Sequence, residues 1–410
     1  MTYLHLDITD CQTPKRAGNV CGDAWSCLRT ERSTTIICCD GIGSGIKANI
    51  AATMTIARLE ELLRRDCSLR QAVAGVAATM DRAKLTDLPY TAFCVARVLN
   101  DGEATILSYE IPRPVLIGRR LATELPQRTL TLDRAIINES CCYLEPGDAL
   151  VLVTDGIAQA GLGVSLREGW QTQGLCRFIN DRIHGGTALN VLPRLIVHEA
   201  QRISRDPQGI VRGDDCTVVL CQARSGNVVN ILTGPPAQKT DDTAVARAFV
   251  QLEGKKVVCG GTTAKLVSQQ LKRRLAVGSD TSMIAPPDYR LDGIDLATEG
   301  AVTLNQAYNI LDEDPRRYER DTGVTRLCEM LRGADYVRFI VGTARNDGHG
   351  DISFRQRGIL HRHTIVSLLA DKLRTYGKLV TIESTDALIR GGNIPSHAMN
   401  PPSHATGLNG

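Results

Sequence analysis

Four acidic sites stand at the ends of strand-like runs, and their residue types and spacing are suited to chemistry. Asp23 lies in Val20-Cys21-Gly22-Asp23-Ala24-Trp25. Asp40 follows Thr35-Ile36-Ile37-Cys38-Cys39 and opens Asp40-Gly41-Ile42-Gly43-Ser44-Gly45. Asp155 follows Leu150-Val151-Leu152-Val153-Thr154, and Asp214 and Asp215 precede Cys216-Thr217-Val218-Val219-Leu220. A carboxylate abutting a buried strand is costly unless it is paired or bound to a metal. If these groups converge, their mutual repulsion calls for cations. About two divalent ions would balance the charge, and oxygen-only ligands favour Mg²⁺ or Mn²⁺. Gly41 is free to turn its carbonyl toward a metal. Gly43-Ser44-Gly45 leads into a long helix, whose first N–H groups would be open to a phosphate.

The elements that must hold these side chains are read from periodicity. Tyr3–Ile8, Trp25–Arg29 and Thr34–Cys39 read as strands. Residues 45–65 read as a helix, because Ala52, Ile56, Leu59 and Leu63 fall on one helical face. A second helix covers about 69–83, then strands are expected at Thr91–Val98, Ala104–Glu110, Val115–Arg119, Ala135–Tyr143 and Ala149–Val153. Helices near Gln173–Ile183 and Ala188–Ser204 and a strand at Cys216–Cys221 close this block. The rhythm predicts antiparallel sheets with helices packed outside, an α+β unit over residues 1–223.

Ser225-Gly226-Asn227 and Gly234-Pro235-Pro236 mark residues 224–241 as a linker. From 242 to 390 helix and strand alternate: Asp242–Leu252 helix, Lys255–Cys259 strand, Thr263–Leu275 helix, Tyr336–Val341 strand, Arg357–Tyr376 helix, Leu379–Ser384 strand. That rhythm predicts a smaller α/β domain. Residues 391–410 carry no Asp, Glu, Lys or Arg and no periodicity, and read as a disordered tail.

Composition narrows the partners. The chain has 410 residues, 43% apolar and 23% charged, which fits folded domains rather than disorder. Aromatics are 4% and the net charge is +3, so neither stacking nor charge favours nucleic acid. No apolar run is long enough to span a membrane. The 14 cysteines include no C-x-x-C pair, and many sit in apolar strands, so they read as small core hydrophobes of a reduced, cytoplasmic protein. Met1–Asp10 lacks the basic start and apolar stretch of a signal peptide.

The set G-D, D-G-x-G-S-G, T-D-G and D-D-x-T-V-V, in this order, resembles the SpoIIE-type branch of the metal-dependent PPM (type 2C) serine/threonine phosphatases over about residues 1–223. The resemblance implies an antiparallel sandwich flanked by helices, αββα, and a phosphoserine/phosphothreonine protein phosphatase in bacterial signalling. It implies two divalent ions, Mn²⁺ or Mg²⁺, and a hydroxide they generate that attacks phosphorus in line. By residue, Asp40 matches the carboxylate bridging both metals, and the carbonyl of Gly41 a ligand of one. Asp155 matches a ligand of the other metal, and Asp214 its second carboxylate, with Asp215 beside it. Asp23 matches the acid that holds the other metal, directly or through water. Lys15 and Arg16, just before the first motif, are the nearest counterparts of the arginine that helps bind phosphate in larger members, and Gly43, Ser44 and Gly45 would face the substrate. A haloacid-dehalogenase-like reading fails, because Ile42 stands where a second Asp is required. The alternative to catalysis is a weakly active PPM-like module that regulates or binds a partner.

Gly260-Gly261-Thr262-Thr263 follows an expected strand and opens a helix, the arrangement that binds an anion on backbone N–H groups. It lacks both P-loop spacing and G-x-G-x-x-G. A plain strand-to-helix turn accounts for it equally well. The C-terminal domain is expected to sense a small-molecule ligand or hold a partner.

Overall fold

The computed structural model describes residues 3–391 apart from 17, 44, 66, 87, 120, 133–134, 278–287, 319–320 and 345–358. They form two compact units that divide between Gly226 and Asn227.

The N-terminal unit contains two antiparallel sheets. One has the order β1-β11-β10-β6-β7, with β1 Leu4–Thr13, β6 Val115–Gly118, β7 Leu121–Glu124, β10 Ala149–Val153 and β11 Cys216–Ser225. The other has the order β2-β3-β4-β5-β9-β8, with β2 Ala24–Arg29, β3 Ser33–Gly41, β4 Thr91–Leu99, β5 Glu103–Tyr109, β8 Arg128–Leu132 and β9 Ala135–Tyr143. Every residue of β3 is buried, as a strand covered on both faces must be. The period of two divides its side chains: Ile36 and Cys38 enter the core between the sheets, and Ile37 and Cys39 face the helices. β11 divides likewise, Val219 and Cys221 into the inter-sheet core, Val218 and Leu220 into the other helical layer.

Helices α1 (Ile46–Arg64) and α2 (Leu69–Leu85) cover the β3 sheet, with Ala52, Ile56 and Leu59 buried as their spacing requires. A capping box starts α2: Ser68 accepts from the Gln71 N–H and Gln71 accepts from that of Ser68. On the opposite side α3 (Asp155–Ala158), α4 (Gln171–His184) and α5 (Leu192–Ile203) cover β10 and β11. The result is an αββα sandwich. The short strands β7 and β8 lie toward or at sheet edges, where burial is partial and alternation weak, and sequence reading did not anticipate them.

The C-terminal unit holds a seven-stranded sheet, order β14-β15-β16-β13-β12-β17-β18. Its strands are β12 Val228–Thr233, β13 Lys255–Cys259, β14 Leu275–Val277, β15 Asp288–Leu291, β16 Leu296–Thr298, β17 Tyr336–Val341 and β18 Leu379–Ser384. The five from β16 to β18 are parallel, and β14 and β15 extend the sheet antiparallel. Helices α6 (Asp242–Gln251), α7 (Gly261–Leu271), α8 (Ala301–Ile310), α9 (Gly323–Gly333), α10 (Arg362–Thr375) and α11 (Thr385–Gly391) lie between strands or after them.

Two expectations are corrected here. Residues 224–241 are not a linker: Val228-Val229-Asn230-Ile231-Leu232-Thr233 forms the central strand β12, because its apolar run is long enough to be buried between two neighbours. The helix expected over 263–275 ends at Leu271, where Lys272 adopts a left-handed φ of 53°, and Leu275 begins β14 instead. The expected tail beyond Gly391 lies outside the described residues. All 14 cysteines are free, and no described helix is long and apolar enough to cross a membrane.

Candidate functional site

Each acid of the N-terminal motifs sits where a strand meets a loop. Asp40 is next to last in β3, Asp155 is the first residue of α3 after β10, and Asp214 and Asp215 precede β11. Asp23 precedes β2, so the acids come from both sheets. Hydrogen bonds close the gap between the sheets. Asp23 Oδ2 accepts from Thr154 Oγ1 at 2.8 Å and from Thr217 Oγ1 at 2.7 Å. Thr154 Oγ1 in turn accepts from the Thr217 N–H at 2.9 Å, and Gln12 donates to Thr217 Oγ1 at 3.1 Å. These threonines were quoted in the sequence motifs without a role. Their position at the ends of β10 and β11, beside each other across the ladder, was the available signal.

Asp23 is 2% exposed, and its Oδ1 is buried with no hydrogen-bond partner. Burial drives its carboxyl up to about 6 against the two threonine hydroxyls. Asp40, also buried, is pushed up to about 9 by burial, then by the charges of Asp155 and Asp23. Burial raises Asp155 as well, as does Asp214, while Lys15 opposes the shift.

Asp214 and Asp215 play different parts. Both oxygens of Asp215 are occupied, Oδ1 by the Lys15 N–H at 2.6 Å and Oδ2 by the Gly22 N–H at 2.9 Å. It is 5% exposed and fastens the loop before β2 to the start of β11. Asp214 is more open, 3.4 Å from Lys15 Nζ.

Gly41 does not turn, contrary to expectation. It stays extended in β3, paired with Thr91, and a Cβ there would lie 2.2 Å from the Ala48 carbonyl oxygen. The glycine is required by the close approach of α1. Gly43 and Gly45 have φ of 116° and 72°, and Gly45 caps α1 without a side-chain hydrogen bond, which leaves the first-turn N–H groups of α1 uncapped by it. Ser44 lies outside the described residues. Gly260, Gly261, Thr262 and Thr263 belong to the C-terminal unit, at the β13–α7 turn, and are not part of the acidic set.

Among the described residues no three acidic, histidine or cysteine side chains converge closely enough, as placed, to hold an ion. Burial and the neighbouring carboxylates push Asp40 up, and the Asp23 Oδ1 is left buried and unsatisfied. Both are features of acceptors short of a cation, since a buried unsatisfied acceptor costs about 1–3 kcal/mol or more. An all-oxygen set suits a hard divalent ion. The residues present therefore fit Mg²⁺ or Mn²⁺.

An αββα sandwich with clustered carboxylates at its strand ends defines the architectural class. The family model for Stage II sporulation protein E (SpoIIE) matches residues 30–224. Over that span the chain carries the SpoIIE-type match that the four motifs led one to expect. Among solved structures, the chain is similar to the PP2C phosphatase domain with a regulatory-domain fragment of the cell fate determinant SpoIIE from Bacillus subtilis, at 18% identity and TM-score 0.46. That match covers 54% of this chain and spans 64% of the relative's length. It is also similar to the RsbU and RsbW domains of a Mycobacterium tuberculosis protein, at 15% identity and TM-score 0.45, over 60% of this chain and 68% of the other. A third similarity is to the S. agalactiae serine/threonine phosphatase, at 15% identity and TM-score 0.39, over 53% of this chain and 99% of the other. The curated proteins gave no match.

Proposed function

We propose that the N-terminal unit is a divalent-metal-dependent phosphoprotein phosphatase acting on phosphoserine or phosphothreonine in bacterial signalling. The observation that carries this reading is the placement of Asp23, Asp40, Asp155 and Asp214 at strand ends of both sheets, where burial and the charges of Asp155 and Asp23 push Asp40 up. Asp40 would bridge two ions, Mn²⁺ or Mg²⁺. The Gly41 carbonyl and Asp23 would serve one, and Asp155 and Asp214 the other. Bound there, such ions supply positive charge for the phosphoryl oxygens and acidify a water.

The chain's own groups do the rest. Thr154 and Thr217 fix Asp23 and leave its Oδ1 unengaged. Asp215 anchors Lys15 through the backbone, so the Lys15 ammonium stays beside Asp214, where it can meet a phosphate oxygen. The N–H groups of α1 behind Gly43 and Gly45 offer a second anion contact. No thiol is needed as nucleophile, and the nearby Cys216 is buried with its pKa pushed far up by that burial.

The test is hydrolysis of p-nitrophenyl phosphate by purified protein in Mn²⁺ or Mg²⁺, with and without EDTA. Hydrolysis abolished by EDTA is expected. Activity unchanged in EDTA contradicts the reading, and no activity in any metal leaves the unit as a regulatory or partner-binding module.

A further inference from the structure

The parallel strands of the C-terminal unit run β16-β13-β12-β17-β18. The chain starts in the centre at β12, steps outward through β13 to β16, then returns to the other side of β12 for β17 and β18. In doubly wound sheets of this order, ligands bind outside the carboxyl ends of the strands near the reversal. A cavity of about 210 Å³ lies at that place, lined among others by Thr233, Gly260, Gly261, Glu299, Gly300 and Arg362.

We propose that this cavity binds a small hydroxylated phosphomonoester, of the size of a sugar phosphate. Four observations support an anion. The N-terminus of α7 opens onto the cavity at Gly260 and Gly261, and Gly260 has φ 127° and no side-chain cap. The N-terminus of α8 opens onto it at Gly300, also without a side-chain cap. The helices are 11 and 10 residues long, enough for their N–H groups and dipoles to act together on one anion. Arg362 lines the cavity half-buried, packs over Gly234 and has no carboxylate partner among the described residues; its one hydrogen bond to them goes to the Gly342 carbonyl at 3.3 Å.

Thr233 supplies the fourth observation, independent of the helix ends. It is 1% exposed, ends β12 against the cavity, and its hydroxyl makes no hydrogen bond to a described residue. Its oxygen is not wholly enclosed and so faces the cavity, where a ligand oxygen can take the place of water as its partner. The neighbouring Thr263 hydroxyl shows the contrast, since it accepts from the Gly234 N–H at 3.0 Å.

Size and the remaining polar group define the rest of the ligand. The volume is below the range that drug-sized ligands and cofactors occupy, and the turn lacks the G-x-G-x-x-G of dinucleotide sites. Glu299 reaches the cavity with a carboxylate that lies near Tyr289 and makes no hydrogen bond or ion pair with a described residue. It would repel a second phosphate and accept hydrogen bonds from hydroxyls.

Calorimetry of the full chain in EDTA, where the acidic site cannot turn a phosphoester over, tests this with glucose 6-phosphate, glycerol 3-phosphate, inorganic phosphate and glucose. At least one of the two esters is expected to bind more tightly than inorganic phosphate, and glucose is expected not to bind. Thr233→Val and Arg362→Gln should each weaken the ester by tenfold or more, with melting temperature and aryl phosphatase activity unchanged. Asp40→Asn should leave ester binding intact. The proposal is overturned if neither ester binds, if both cavity variants bind like the parent, or if Asp40→Asn abolishes binding.

Discussion

Burial and the charges of Asp155 and Asp23 together push Asp40 up, and that coupling makes the individual side chains testable. Asp40→Asn and Asp155→Asn each remove a charge the ions would need. Mn²⁺ titration of the metal-free protein should show the strongest site lost in Asp40→Asn and weakened in Asp155→Asn, with both variants folded. Unaltered binding in both would remove these residues from the metal set. The threonines act through Asp23. Thr154→Val takes away one of the two hydroxyls on a buried carboxylate, which costs about 1–3 kcal/mol of stability and should weaken Mn²⁺ binding. Thr154→Ser keeps the hydroxyl and should restore both; failure of Ser to restore metal affinity would mean that Thr154 serves packing alone. The acids themselves were legible in sequence because a charged residue abutting an apolar strand is anomalous. The division of labour between Asp214 and Asp215 was not, since both residues stand in the same loop and only the partners of Asp215, at Lys15 and Gly22, distinguish them.

Among the elements, α2 is held to its sheet by a charge network as well as by packing. Glu139 on β9 is 5% exposed and accepts from Arg70 of α2 at 2.6 Å and from Arg128 of β8 at 2.6 Å. Burial alone would raise its pKa, but hydrogen bonds from Arg70 and Arg128 outweigh that and hold it below the usual glutamate range. A depressed acid stabilises the fold above its unfolded pKa and loses that contribution as pH falls through its folded pKa. Glu139→Gln should therefore destabilise the fold at pH 7 by about 1–3 kcal/mol for a charged hydrogen-bond network, read as a lower melting temperature. The gap between variant and parent should narrow below about pH 4. A gap independent of pH would show that packing, not charge, is what the substitution disturbs. Long elements such as β3, α1 and β9 were readable because each is fully or half buried and so carries an unbroken period. β12 was missed because flanking Gly226, Gly234, Pro235 and Pro236 signal a loop on either side of a run of six strand residues.

The molecule as a whole is two compact units, and the acids of the candidate centre all precede the division at Gly226. A fragment ending at Gly226 is expected to be soluble and to hydrolyse an aryl phosphate with Mn²⁺, and the complementary fragment to be inactive in that assay. An insoluble or metal-indifferent first fragment would mean that the acidic site depends on residues beyond the division. The family-level reading was carried by four short motifs in order, whereas the second unit offered a single glycine turn, whose significance emerged only with the strand order around it. The central claim, phosphoprotein hydrolysis at the carboxylate cluster, is tested most directly by phosphate release from a phosphoserine peptide in Mn²⁺, comparing the full chain with Asp40→Asn prepared identically. Release by the parent that falls by about a hundredfold or more in Asp40→Asn is expected, since several kcal/mol of charge stabilisation are lost. Equal release by the two proteins, or none by the parent, would contradict it.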